Sequence, residues 1–158
     1  MSLEFTFSHT TAAVFDLFCD PDFLVQRSTA LGEISADAEV DQVGNKIIVK
    51  MRREVKRDLP SFLAKIFNPQ QVLSVTEEWL QMGETFVGKS NYVVEGQPVT
   101  VTTEMTLKPS ANGSVFSITY KAKASIPLIG GKIEKYIISQ CEEGTHKECE
   151  YAAKRLAG

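Results

Sequence analysis

The chain has 158 residues, of which 43% are hydrophobic and 23% charged, and carries a net charge of −3. That length suits one domain, residues 1–158, large enough to bury a core without disulfide or metal staples. The acidic balance excludes phosphate-driven nucleic-acid binding, because the basic cluster Lys50, Arg52, Arg53, Lys56 and Arg57 is diluted by Glu54 and Asp58.

Leu3, Phe5 and Phe7 alternate with polar residues, the period of a half-buried strand. Thr10 or Thr11 can cap a short helix through Ala12 to Phe18. Asp20-Pro21 then starts a second helix, running to about Ala30. Aspartate accepts from the free N–H groups of the first turn, and proline has no N–H to leave unpaired there.

From residue 33 onward the period returns to two. Ile34, Ala36, Ala38 and Val40 share one face. Ile47, Val49, Met51, Arg53 and Val55 form the next set, after a turn at Gly44-Asn45. Leu73 to Trp79, Phe86 to Val94, Val99 to Leu107 and Phe116 to Ala124 continue the pattern, joined by short turns at Gly83, Gly96 and Gly113. Seven strands with short connections favour an antiparallel meander.

The Pro60 to Phe67 segment interrupts that meander with a one- or two-turn helix pattern, apolar at Phe62, Leu63, Ile66 and Phe67. It reads either as a lid or as a packed crossover. After Ile126-Pro127 and Gly130-Gly131 a long helix runs from about Leu128 to Leu156. Ile133, Tyr136, Ile137, Cys141, Gly144, Glu148, Tyr151, Ala152 and Arg155 fall near one stripe of it. Glycine inside a helix costs up to about 1 kcal/mol against alanine, and close packing at Gly144 is the plainest offset.

The expected fold is therefore α+β, a helix-grip in which a seven-stranded antiparallel sheet curves around a long C-terminal helix, with two short helices after the first strand. Such a sheet has more concave apolar face than one helix can fill, which points to a cavity for a small apolar molecule.

The chain resembles the START-like and Bet v 1-like superfamily of polyketide cyclases and lipid-transport domains, and within it an uncharacterised bacterial branch. The resemblance is carried by Phe5-Thr6-Phe7-Ser8-His9, Val14-Phe15-Asp16, Asp20-Pro21-Asp22-Phe23 and the run from Ile126 to Glu134. It covers nearly the whole chain, and its motifs are structural. It implies a deep cavity between sheet and last helix, with lipids, sterols or polyketides as ligands. It implies no particular reaction.

The candidate lining is Val49, Met51, Trp79, Phe86, Tyr92, Met105, Phe116, Tyr120, Ile137 and Cys141, with Arg53 and Glu77 as polar handles. Arg53 and Glu77 each lie in phase with apolar neighbours, and burying an unpaired charge is expensive. If their strands adjoin, the two can pair inside the cavity. Otherwise one or both end in water at the sheet's rim.

Binding or carrying a hydrophobic small molecule is the first functional expectation. The second is a cyclase- or aromatase-like enzyme in which Arg53, Glu77, Tyr92 or Tyr120 moves protons. The third is an interaction module that docks Phe62, Leu63, Ile66 and Phe67 on a protein or membrane. No nucleophile elbow, phosphate loop or dinucleotide fingerprint occurs, so no cofactor is expected. Glu142, His146, Cys149 and Glu150 have metal-compatible spacing on the last helix but no second ligand pair, so no metal is expected either. The opening Met1-Ser2-Leu3-Glu4-Phe5 lacks a secretory pattern, and no apolar run can span a bilayer. With three cysteines, an odd number, the expected compartment is the cytoplasm with thiols reduced.

Overall fold

The computed structural model describes residues 2–158. Strand β1 (Ser2–Phe7) leads into helices α1 (Thr11–Phe18) and α2 (Pro21–Ala30). Thr10 is the cap of α1, accepting from the Ala13 N–H at 3.2 Å. Thr11 is instead buried and donates to the Glu84 carbonyl at 2.6 Å. Asp20 caps α2 by accepting from the Asp22 and Phe23 amides, with Pro21 at the first position.

Strands β2 (Ser35–Val43) and β3 (Lys46–Lys56) follow, then the single-turn helix α3 (Ser61–Ala64). Strands β4 (Gln70–Met82), β5 (Thr85–Val94), β6 (Val99–Ser110) and β7 (Gly113–Ala124) complete one seven-stranded sheet in the order β1-β7-β6-β5-β4-β3-β2. Every neighbouring pair is antiparallel. Gly44 and Gly83, with φ of 64° and 65°, supply the left-handed positions that the tight β2–β3 and β4–β5 turns need.

Alternation sets the core. Val49, Met51, Arg53 and Val55 are the buried face of β3, and Val101, Thr103, Met105 and Leu107 that of β6. Phe15 of α1 stacks on Phe86 with centroids 3.9 Å apart and meets Trp79 edge-on at 5.3 Å. Each such aromatic or aliphatic side chain stabilises the fold by about 1.5–3 kcal/mol.

The long helix α4 (Gly130–Ala157) lies across the concave face. Its fully buried residues are Ile133 near one end and Cys149 and Ala152 near the other. Ile133 belongs to a small cluster with Leu63, Phe67, Val99 and Ala124, whereas Cys149 and Ala152 belong to the main core. Between these anchors Ile137, Ile138 and Cys141 are only partly buried against the core, and Tyr120 of β7 reaches Thr145 by a hydrogen bond. Gly144 corrects one expectation: a Cβ built there meets nothing within 4 Å, so close packing does not explain this glycine.

Helix α3 corrects another. Leu63 and Phe67 are 1% and 7% exposed, packed beneath α4, so they present no apolar docking face. Phe62 sits edge-on to Tyr136 and beneath the Lys132 ammonium, leaving Ile66 as the exposed member of the four.

Candidate functional site

The gap under the middle of α4 contains three adjoining cavities, and Tyr92 of β5 lines all of them. The largest, about 220 Å³, opens between the α2–β2 turn at Leu31 to Glu33 and the α4 stretch from Gln140 to Glu148. Arg53, Tyr120, Cys141 and Gly144 also face it. A second, about 80 Å³, is almost wholly apolar and lies between Leu63, Phe67, Val99 and Ile137. It shares Arg57, Leu73, Tyr92, Gln140 and Cys141 with the first. The third, about 40 Å³, is deepest, bounded by Glu77, Trp79, Met105, Phe116 and Cys149. Tyr92, Thr145 and Glu148 separate it from the first.

The candidate residues therefore divide. Arg53, Glu77, Trp79, Tyr92, Met105, Phe116, Tyr120, Ile137 and Cys141 each line at least one cavity. Val49, Met51 and Phe86 are buried in the main core and line none of the three. Their strand phase is inward, but Phe86 is covered by Phe15 of α1, and Val49 and Met51 are enclosed within the main core.

Arg53 and Glu77 are on adjacent strands but do not pair. Register sets Arg53 opposite Leu73 and Glu77 opposite Val49, which places the two charges too far apart along the sheet. Arg53 instead makes a forked contact with Glu33, its Nε donating to Oε1 at 3.0 Å and its Nη2 to Oε2. The same Nη2 donates to Glu148 Oε2 at 3.0 Å, and Arg27 Nη2 lies 3.7 Å from the other Glu148 oxygen. Burial opposes the Arg53 charge, but Glu148 and Glu33 outweigh it and raise the guanidinium's pKa. Burial likewise opposes the Glu148 charge, but Arg27 and Arg53 prevail and hold that carboxyl below its usual range.

Glu77 is the other kind of buried acid. Trp79 Nε1 donates to its Oε1 at 3.1 Å, its one hydrogen bond to a side chain. Burial raises its pKa more than that bond and Arg27 lower it, with Glu148 adding to the rise. Tyr92 is raised well above its ordinary value by burial and by Glu77. The Tyr120 hydroxyl bonds Thr145 of α4. Burial pushes the Cys141 thiol up to about 11 and the Cys149 thiol up to about 12, so both are inert as nucleophiles at neutral pH. His146 on the exposed face of α4 lies 3.5 Å from Glu150 and edge-on to Phe5, and no metal-holding cluster occurs among the described residues.

Arg27, Glu33, Glu148 and Thr145 were not anticipated as part of this site. Arg27 and Glu148 had readable signals, since each lies in helical phase with apolar neighbours. Glu33 sits in an irregular turn and had none.

A seven-stranded sheet gripping a long helix over internal space is a Bet v 1/START-like fold. The solved structures agree on the fold. A protein from Thermus thermophilus superposes with a TM-score of 0.62 at 13% identity, covering 99% of this chain and 96% of its own. A Rhizobium leguminosarum protein gives 0.59 at 13%, covering 99% and 93%. The Bet v 1 allergen Ara h 8 gives 0.57 at 14%, covering 98% and 97%. Residues 2–156 match the family described as "Protein of unknown function (DUF2505)", and the chain belongs to that family. No curated protein matches it. No helix among the described residues is long and apolar enough to cross a membrane.

Proposed function

We propose that this protein binds or carries a small hydrophobic molecule between its sheet and α4, with residues 1–158 acting as one helix-grip domain. The observation that carries the reading is the set of adjoining cavities around Tyr92, between the sheet and a helix whose fully buried residues lie near its two ends. A mostly apolar chamber beside a few fixed polar groups is the common composition of a ligand pocket. Apolar area leaving water would supply about 25 cal/mol per Å² before the costs of association. Tyr92, Tyr120, Ile137 and Cys141 would contact the ligand body. Trp79, Met105 and Phe116 would floor the deep end, and Arg53 would hold the entrance in shape through Glu33 and Glu148.

Titration with fatty acids, sterols and aromatic polyketides, followed by Trp79 fluorescence, tests this. Saturable quenching or a blue shift with at least one class is expected. A flat response to all three counts against it.

A second reading is favoured by Glu77 and Tyr92 facing the same deep space, both with raised pKa values. A cyclase- or aromatase-like reaction needs two such groups within reach of one substrate atom. Turnover of a polyketide-like substrate lost in Glu77→Gln would favour it over carriage alone.

A further inference from the structure

Each carboxylate on the wall of the 220 Å³ cavity already has a cation. Arg53 holds Glu33 and Glu148, and Lys147 donates to Glu143 at 3.1 Å. Two further cations line that wall. Lys56 is exposed, whereas Arg57 is half-buried, and among the described residues Arg57 forms no ion pair. Its amide donates to the Pro69 carbonyl at 2.8 Å, which fixes the backbone just past the end of β3. Arg57 lines the apolar 80 Å³ chamber as well, so it sits where the two cavities meet, beside Tyr92, Gln140 and Cys141. Its charge is felt across the gap by Cys141 and Glu148 of α4, whose pKa values it lowers. Glu77 is no substitute partner, because it lines only the deep third cavity and burial favours its protonated form.

We infer that the bound molecule is a monocarboxylate with a slim alkyl tail, its carboxylate paired with Arg57 where the two cavities meet and its tail in the apolar chamber. This rests on the ligand-binding reading above and narrows it. A guanidinium is a planar fork that matches a carboxylate through two parallel hydrogen bonds. An acid seated there gives the half-buried Arg57 charge the partner that the chain itself does not supply. The Tyr92 hydroxyl, kept protonated by burial, and the Gln140 amide are neutral donors at the same junction. Leu63, Phe67, Val99 and Ile137 enclose the tail. At about 80 Å³ the chamber is smaller than the roughly 150 Å³ cavity that holds a benzene ring, so it suits a chain rather than a ring. A ligand ammonium fits worse, since the carboxylates around the 220 Å³ cavity are engaged and Arg57 would repel it.

Hexanoate, 1-hexanol and hexylamine share one chain and differ in the head group, and phenylacetate keeps the head and changes the tail. All four are titrated by calorimetry at neutral pH. Hexanoate is expected to bind at least about tenfold more tightly than hexanol, the difference a charged hydrogen bond supplies, with the amine weakest and phenylacetate below hexanoate. Arg57→Gln is expected to bring hexanoate and hexanol within about twofold of each other, and Arg57→Lys to restore part of the gap. Hexanoate labelled with carbon-13 at its carboxyl gives a second readout in the unaltered protein. Beside a guanidinium the bound carboxyl is expected to titrate at a lower pH than the free acid. A hexanoate advantage that survives Arg57→Gln, a bound carboxyl that titrates higher than the free one, or phenylacetate or hexylamine binding tightest overturns the inference. If hexanol binds and hexanoate gains nothing over it, this inference fails and the carrier reading stands. If neither these probes nor any apolar class binds, both fail.

Discussion

Arg53 of β3 and Glu148 of α4 lie 95 positions apart in sequence and are joined by a 3.0 Å hydrogen bond beside the 220 Å³ cavity. The contact ties the sheet to α4 one residue before the buried Cys149. Arg53 also pairs with Glu33, and Glu148 has Arg27 as a second partner, so carboxylates whose side chains are 12% and 16% exposed share two guanidinium groups.

Arg53→Ala is therefore expected to destabilise the fold by about 3 kcal/mol, because Glu33 loses its cation and Glu148 keeps only the longer contact to Arg27. Urea denaturation at pH 7 checks this. A loss under about 1 kcal/mol would mean that the network is open to water and is structurally minor.

Glu77 predicts a pH dependence of opposite sign to an ordinary paired acid. Its folded pKa is raised. Between the unfolded value near 4.3 and that raised value the native state binds the extra proton, so stability falls as pH rises through this window. Glu148, with its folded pKa lowered, contributes stability that is present above the unfolded value and is lost as pH falls through the lowered one. Glu77→Gln is expected to gain stability over the parent as pH rises above the unfolded value near 4.3, read from urea midpoints across that rise. A gap that shrinks over that range contradicts the burial argument.

Much of the fold was legible in the sequence because its signals are local. Period-two alternation marked seven strands, Asp20-Pro21 marked α2, and the Ile133-to-Ala152 stripe marked α4. The site was less legible because it depends on register. Alternation fixes which face Arg53 and Glu77 point to, but the offset between β3 and β4 decides that Leu73 and Val49 face them. Val49, Met51 and Phe86 failed to reach a cavity for a related reason. Their faces were right, but nothing local told which inward positions other core side chains would cover, as Phe15 of α1 covers Phe86. Leu63 and Phe67 show the same limit: an apolar pattern in a connecting segment does not say whether the segment folds inward.

Gly144 offers a separation of helix stability from cavity volume. Its missing Cβ would project into open space, and it lines the 220 Å³ cavity. Gly144→Ala is expected to raise stability by up to about 1 kcal/mol through helix propensity. Gly144→Leu is expected to keep the fold and weaken ligand binding by filling the space. Thermal melts and titrations on both variants check the pair.

Gly88 shows the reverse. A Cβ on it would lie 2.7 Å from the Trp79 ring, which crosses the glycine on the adjacent strand. Gly88→Ala is expected to cost about 1–3 kcal/mol and to shift Trp79 emission as the ring is displaced from the floor of the deep cavity. Unchanged emission with unchanged stability would mean that the ring is free to move.

Native mass spectrometry of the protein purified from its own cells under non-denaturing conditions tests the central claim most directly. The account predicts a protein peak carrying an extra small-molecule mass, released on mild activation and reduced in Gly144→Leu. A peak at the bare chain mass alone, with no adduct formed on incubation with amine, alcohol, fatty acid or sterol, would contradict it.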